Sequence, residues 1–160
     1  MSINPDKSIT ENSYHISPEK HTRIESALQQ NGIILFDGVC NLCNSSVNFI
    51  LDRDTYGYFK FASLQSEVGS YLIDRFGLSG DVPDSVILIK NYRVYLQSTA
   101  ALEIARGLRG PVKLLYGGII IPKFLRNPIY NFIARNRYKW FGKLDECRIP
   151  TPELQSLFIE

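Results

Sequence analysis

Cysteine is scarce in this chain: three residues in 160, two of them in one short motif. A secreted disulfide framework uses cysteines in larger, even numbers, so covalent stapling is not the source of stability, and a reducing, cytoplasmic setting is expected. A membrane-crossing run is missing too. The apolar stretch at residues 114–121 stops at Pro122, far short of the roughly 20 residues a span requires. Residues 1–10 are polar and lack the apolar centre of a secretory signal. No internal repeat or low-complexity tract is visible. Acidic residues nearly vanish toward the C-terminus: residues 106–148 hold ten of the eighteen Lys and Arg, against only Asp145 and Glu146. A basic face is expected there, suited to an anionic partner or a membrane surface.

What is present suffices for one core. With 44% hydrophobic and 12% aromatic residues, a chain of this length can bury a real interior without staples. Residues 1–16 are polar and aperiodic and read as a mobile extension. Residues 17–149 read as a single domain with C-terminal helices, and residues 150–160 as a tail. Ser17-Pro18 predicts a capped helix with Ile24, Ala27 and Leu28 on its apolar edge. Ile33-Ile34-Leu35-Phe36 predicts a buried strand, and Asp37-Gly38 a turn. From Cys40, apolar positions at helical spacing predict a helix to about Asp54. Tyr58-Phe59-Lys60-Phe61 predicts a second strand, and Ser63 a cap for a helix presenting Leu64, Val68, Tyr71, Leu72 and Phe76. Residues 85–89 and 93–96 predict a hairpin. Ser98 is then expected to cap a helix with Ala101, Leu102, Ala105 and Leu108 inward. Beyond Gly110-Pro111 the pattern is helical, with a break at Pro122 and a last helix opening at Asn127-Pro128. The first crossover demands parallel strands and the hairpin antiparallel ones, so the fold class is α/β: a thioredoxin-like three-layer arrangement with a small mixed sheet and a helical C-terminal extension.

The chemistry-bearing motif is Cys40-Asn41-Leu42-Cys43, at the start of a helix that follows a strand. Unpaired N–H groups and the positive helix end favour a thiolate at the first cysteine. Cys40 is expected at the exposed first turn as nucleophile, and Cys43, one turn on and facing inward, as the thiol that resolves a mixed disulfide. Asp37 has two readings: a proton acceptor for Cys43, directly or through water, or an Asx turn shaping the strand exit. A phosphatase-type loop at Leu35-Phe36-Asp37-Gly38 fails, because Leu35 stands where that chemistry needs a nucleophilic Asp. Metal binding is the competing reading, with Cys40, Cys43, Cys147 and His21 or His15 as ligands. It lacks a second close ligand pair. In that reading the protein is a non-enzymatic metal-binding or redox-sensing module. The basic and aromatic run 135–143 is read as a helix end whose aromatics pack inward and whose cations stay solvated, not as a nucleic-acid site. Cys147 is expected to be a buried thiol.

The sequence resembles the DCC, or DUF393, family of thiol-disulfide oxidoreductases. The likeness is carried by Leu35-Phe36-Asp37-Gly38-Val39-Cys40-Asn41-Leu42-Cys43, by Phe61-Ala62-Ser63-Leu64-Gln65-Ser66, by the strand at residues 84–88, and by residues 134–142 with Cys147. It spans roughly residues 31–149. The resemblance implies a thioredoxin-like fold and Cys40 and Cys43 as the redox pair. Ordinary thioredoxins carry Trp before the pair and Gly-Pro within it; here Val39 precedes Cys40 and Asn41-Leu42 lies between. Their cis-proline has only Pro83 as a counterpart, and the hairpin alignment puts Asp84 at that position. The expected activity is disulfide exchange with a protein or small thiol substrate, without a cofactor, a metal or nucleic acid. Peripheral membrane contact through the basic C-terminal helix is the further expectation.

Overall fold

Every buried element of the computed structural model, which describes residues 16–78, 86–143 and 155–159, is placed by the alternation of apolar side chains along β1. The order is α1 (Pro18–Gln30), β1 (Gly32–Phe36), α2 (Asn41–Leu51), β2 (Phe59–Ser63), α3 (Glu67–Arg75), β3 (Ile87–Lys90), β4 (Arg93–Leu96), α4 (Gln97–Gly107), a 3-10 segment (Pro111–Ile120), α5 (Lys123–Phe141) and a short 3-10 turn (Gln155–Leu157). The sheet order is β2-β1-β3-β4. β1 runs parallel to β2 and antiparallel to β3, and β3 pairs antiparallel with β4.

β1 is buried throughout because both faces are covered. Ile33 and Leu35 point to one side, where they meet Ile24 and Leu28 of α1 and Val68 and Leu72 of α3. Ile34 and Phe36 point to the other, against Val47 and Ile50 of α2 and Ile104 of α4. Each such side chain contributes roughly 1.5–3 kcal/mol by leaving water. Two helices on each face of a mixed sheet make the three-layer thioredoxin-like fold that the sequence predicts.

Local signals explain the ends. Ser17 accepts from the Lys20 N–H at 3.4 Å and Pro18 opens α1. The β3–β4 turn places Asn91 and Tyr92 at φ +49° and +58°, the primed-turn geometry that matches strand twist.

Four expectations are corrected. Ser63 does not cap α3, because it pairs with Phe36 as the last rung of β2; Ser66 is the cap, accepting from the Gly69 N–H at 3.1 Å. Ser98 does not cap α4, which starts at Gln97; the Ser98 hydroxyl is buried and bonds the Asn127 side chain of α5 instead. With that start, Ala100, Ile104, Ala105 and Leu108 turn inward while Ala101 is exposed. The last helix opens at Lys123, straight after Pro122, and runs through Pro128. Pro128 only forfeits the bond its N–H would make to the Phe124 carbonyl in the second turn. The tail returns to the domain: Ile159 donates to the Phe61 carbonyl at 2.8 Å and is itself buried.

Candidate active site

The turn from β1 into α2 is pinned from several directions. The Asp37 carboxylate accepts from the Val39 N–H at 3.2 Å, the Asx turn that was one of its two readings. Gly38 N–H donates to Gln65 at 3.1 Å, and the Asn44 side chain donates to the Gly38 carbonyl at 3.0 Å. Cys40 then occupies the N-cap of α2, its Sγ accepting from the Cys43 N–H at 3.3 Å. Both thiols are free.

Exposure of the pair is the reverse of the expectation. Cys40 is fully buried at 0%, and Cys43 is half-buried. The cause lies at the far end of α5: Lys143 forms a backbone bridge with Cys40, and the Asn41 side chain donates to the Phe141 carbonyl at 3.0 Å. Gly142, between them, adopts φ +80° to make the turn. Cys43 instead lines a largely apolar cavity of about 540 Å³, bordered by Phe36, Val47, Ile104, Leu115 and Ile133. Burial first, and then the neighbouring Cys40 sulfur, push the Cys43 thiol up to about 12.

Asp37 is the polar centre of the site. Its second oxygen accepts from Arg137 Nη2 at 2.8 Å and from the Tyr138 hydroxyl, while the first also accepts from Gln65 Nε2 at 2.9 Å. Burial favours the neutral acid, but the bonds from Tyr138, Val39, Gln65 and Arg137 outweigh it and hold the carboxyl below its usual range. Arg137 is 3% exposed. Its charge also acts on Cys43, pulling that thiol downward against the larger effect of burial.

Sequence reasoning missed Arg137, Tyr138 and Gln65. The reading of 135–143 as inward aromatics and solvated cations is inverted in part: Arg137 is buried, whereas Trp140 and Phe141 are exposed. The available signal was Asp37 itself, since a carboxylate between an apolar strand and a cysteine helix needs a counter-charge. For the metal reading, no cluster of three or more His, Cys, Asp or Glu exists among the described residues. His21 sits on α1, across the sheet from α2. His15, Pro83, Asp84 and Cys147 lie outside the described residues.

The sequence matches the family model of DCC1-like thiol-disulfide oxidoreductases over residues 34–143, a span containing Asp37, both cysteines and Arg137. The chain belongs to that family. Among its relatives is the uncharacterized protein YuxK of Bacillus subtilis (strain 168), 49% identical over 129 residues, which cover 81% of this chain and 94% of that protein. Another is the chloroplastic DCC family protein At1g52590 of Arabidopsis thaliana, 42% identical over 118 residues, covering 73% of this chain and 69% of that protein. No solved structure matches. The family name accords with a thiol-disulfide oxidoreductase role, and Cys40 and Cys43 are adjacent, as that chemistry requires. Among the described residues no helix is long and apolar enough to cross a membrane.

Proposed function

We propose that this DCC-family protein reduces disulfides, with Cys40 as nucleophile and Cys43 as resolving thiol, in a reducing compartment such as the cytoplasm. The observation that carries the reading is the asymmetry of the pair: Cys40 Sγ receives an N–H bond at the positive end of α2, while Cys43 is pushed up to about 12. That N–H bond holds Cys40 Sγ at the start of α2, where the helix-end amides offset negative charge that develops on this sulfur during exchange.

The Cys40 thiolate attacks one sulfur of the substrate disulfide. A Cys40–substrate bond forms, the substrate S–S bond breaks, and the leaving sulfur takes a proton from solvent. Cys43 then gives its proton to solvent and attacks Cys40 Sγ; the Cys40–substrate bond breaks, and the second substrate sulfur leaves as thiolate and takes a proton from solvent. Two electrons pass to the substrate and a Cys40–Cys43 disulfide remains. Arg137 favours this second step by stabilising the Cys43 thiolate as it forms. Asp37, with both oxygens engaged and its carboxyl held below the usual range, anchors Arg137 and Tyr138; that environment argues against the proton-acceptor reading. Because Cys40 is covered, the Phe141–Lys143 segment must lift for the first attack.

The test is a pair of variants incubated with a dithiol-reduced start and a protein disulfide substrate. Cys40→Ser abolishes exchange, and Cys43→Ser accumulates a mixed disulfide visible by mass spectrometry. Turnover retained in Cys40→Ser would sink the mechanism; trapping by Cys40→Ser instead of Cys43→Ser would exchange the two roles.

A further inference from the structure

The surface made by the 3-10 segment and α5 presents large apolar side chains to solvent. Ile120 is 84% exposed, Leu114 76% and Phe124 74%, and Ile129, Phe132 and Trp140 are each more than half exposed. On α5 the inward positions are taken by Arg137, Tyr130 and Ala134, and the outward stripe at Leu125, Ile129, Phe132, Ile133 and Trp140 follows 3.6-residue spacing. The helix therefore buries Arg137 against the protein and leaves its large apolar side chains in solvent. A surface of this kind, larger than scattered single side chains, marks an interaction site.

The charge around it says what the partner is. Residues 106–143 contain nine Lys and Arg and no Asp or Glu. Arg135 and Lys139, one turn apart and both exposed, border the apolar stripe, and Lys113, Lys123 and Lys143 are exposed nearby. A second copy of the chain would bring these cations against one another, which argues against self-association. A crossing helix is excluded as well: the 19 residues of α5 carry five cations. Apolar side chains flanked by cations, with a tryptophan at the boundary, suit the interface of an anionic bilayer, where the rings enter the headgroup region and the cations meet lipid phosphates.

We propose that the 3-10 segment and α5 dock this protein on the surface of an anionic membrane. The docked helix lies in the plane of the interface. The cavity beside Cys43 shares Leu115 and Ile133 with this surface, so docking brings that cavity to the lipid boundary.

Trp140 is the single tryptophan of the chain, which makes it a direct probe. The full-length protein is mixed with vesicles of phosphatidylcholine alone or of equal parts phosphatidylcholine and phosphatidylglycerol, and sedimentation and Trp140 emission are followed. Binding and a blue shift are expected with the anionic vesicles only. The paired change Arg135→Glu and Lys139→Glu should weaken partitioning by at least about tenfold, since each cation near such a surface is worth about 1 kcal/mol. Ile120→Ser, at a position 84% exposed on the same face, should weaken it while leaving thermal unfolding unchanged. The proposal is overturned by absence of binding, by binding that ignores the charge reversal, or by Trp140 emission already blue-shifted without lipid, which would place a second copy or another part of this chain on the face.

Discussion

Replacing Arg137 by Met removes the cation from the buried pair with Asp37 while keeping much of the side chain's apolar bulk. In the folded protein both members are nearly inaccessible, with side chains 4% and 7% exposed and 2.8 Å apart. Removing one partner of such a pair leaves an uncompensated buried charge and costs about 3–5 kcal/mol. Asp37 keeps its bonds from Tyr138, Gln65 and Val39, so the low end, about 3 kcal/mol, is expected. With a urea dependence of about 2 kcal/mol per molar, the unfolding midpoint should fall by about 1.5 M. The loss should also depend on pH. In the native protein the Asp37 pKa is depressed, so its contribution is fully present above the unfolded value of about 3.9 and disappears as pH falls through the folded one. In the variant the downward pull of Arg137 is gone, so the folded pKa lies above that of the native protein, and the penalty is largest near neutrality and shrinks on acidification. The two midpoints should therefore converge only as the pH falls below about 4 and through the depressed folded value of the native protein. Adding Asp37→Asn to Arg137→Met should recover part of the loss, as a double-mutant cycle detects for a coupled pair. A loss below about 1 kcal/mol at pH 7, or a loss that grows as the pH falls below about 4, would refute the reasoning.

Because Cys43 is pushed up to about 12, it should react slowly with iodoacetamide at neutral pH despite being the more exposed thiol, as peptide mapping would report; rapid labelling of Cys43 at pH 7 contradicts this. Gly69→Ala should destabilise by about 2–3 kcal/mol in chemical denaturation, since an added Cβ would lie 2.0 Å from the Ser63 carbonyl oxygen, a backbone atom that cannot move aside; an unchanged midpoint would mean that α3 shifts freely on β2. Gly142→Ala should cost about 1 kcal/mol through its φ of +80° and should speed alkylation of Cys40 by loosening the cover; an unaltered Cys40 rate would dissociate this turn from access.

The layers were readable because β1 alternates side chains between two helical faces and because Ser17-Pro18 is a local start signal. Helix α5 was harder. Its register could be counted from the sequence, but which side faces the domain depends on Arg137 meeting an aspartate 100 positions earlier, and apolar periodicity alone points the wrong way. The exposure of the thiols failed for a related reason. A helix N-terminus is ordinarily open, whereas here, among the described residues, Phe141 and Lys143 approach it and Cys40 is buried. Ser63 and Ser66 are chemically equivalent caps three residues apart, and the choice between them was made by strand pairing, which lies outside any local window.

The pairing of Asp37 with Arg137 has a consequence in time as well as in space. Synthesis delivers the chain from its N-terminus, and domains begin to fold as they emerge. A nascent chain ending near residue 110 already holds the four strands and both cysteines of the motif, yet neither the guanidinium that neutralises Asp37 nor the segment that shields Cys40. The ribosome thus presents an uncovered thiol pair beside an unpaired carboxylate until the last helix arrives. The finished site is a late product of translation, and any truncation within α5 before Arg137 would leave the protein in that early, open condition.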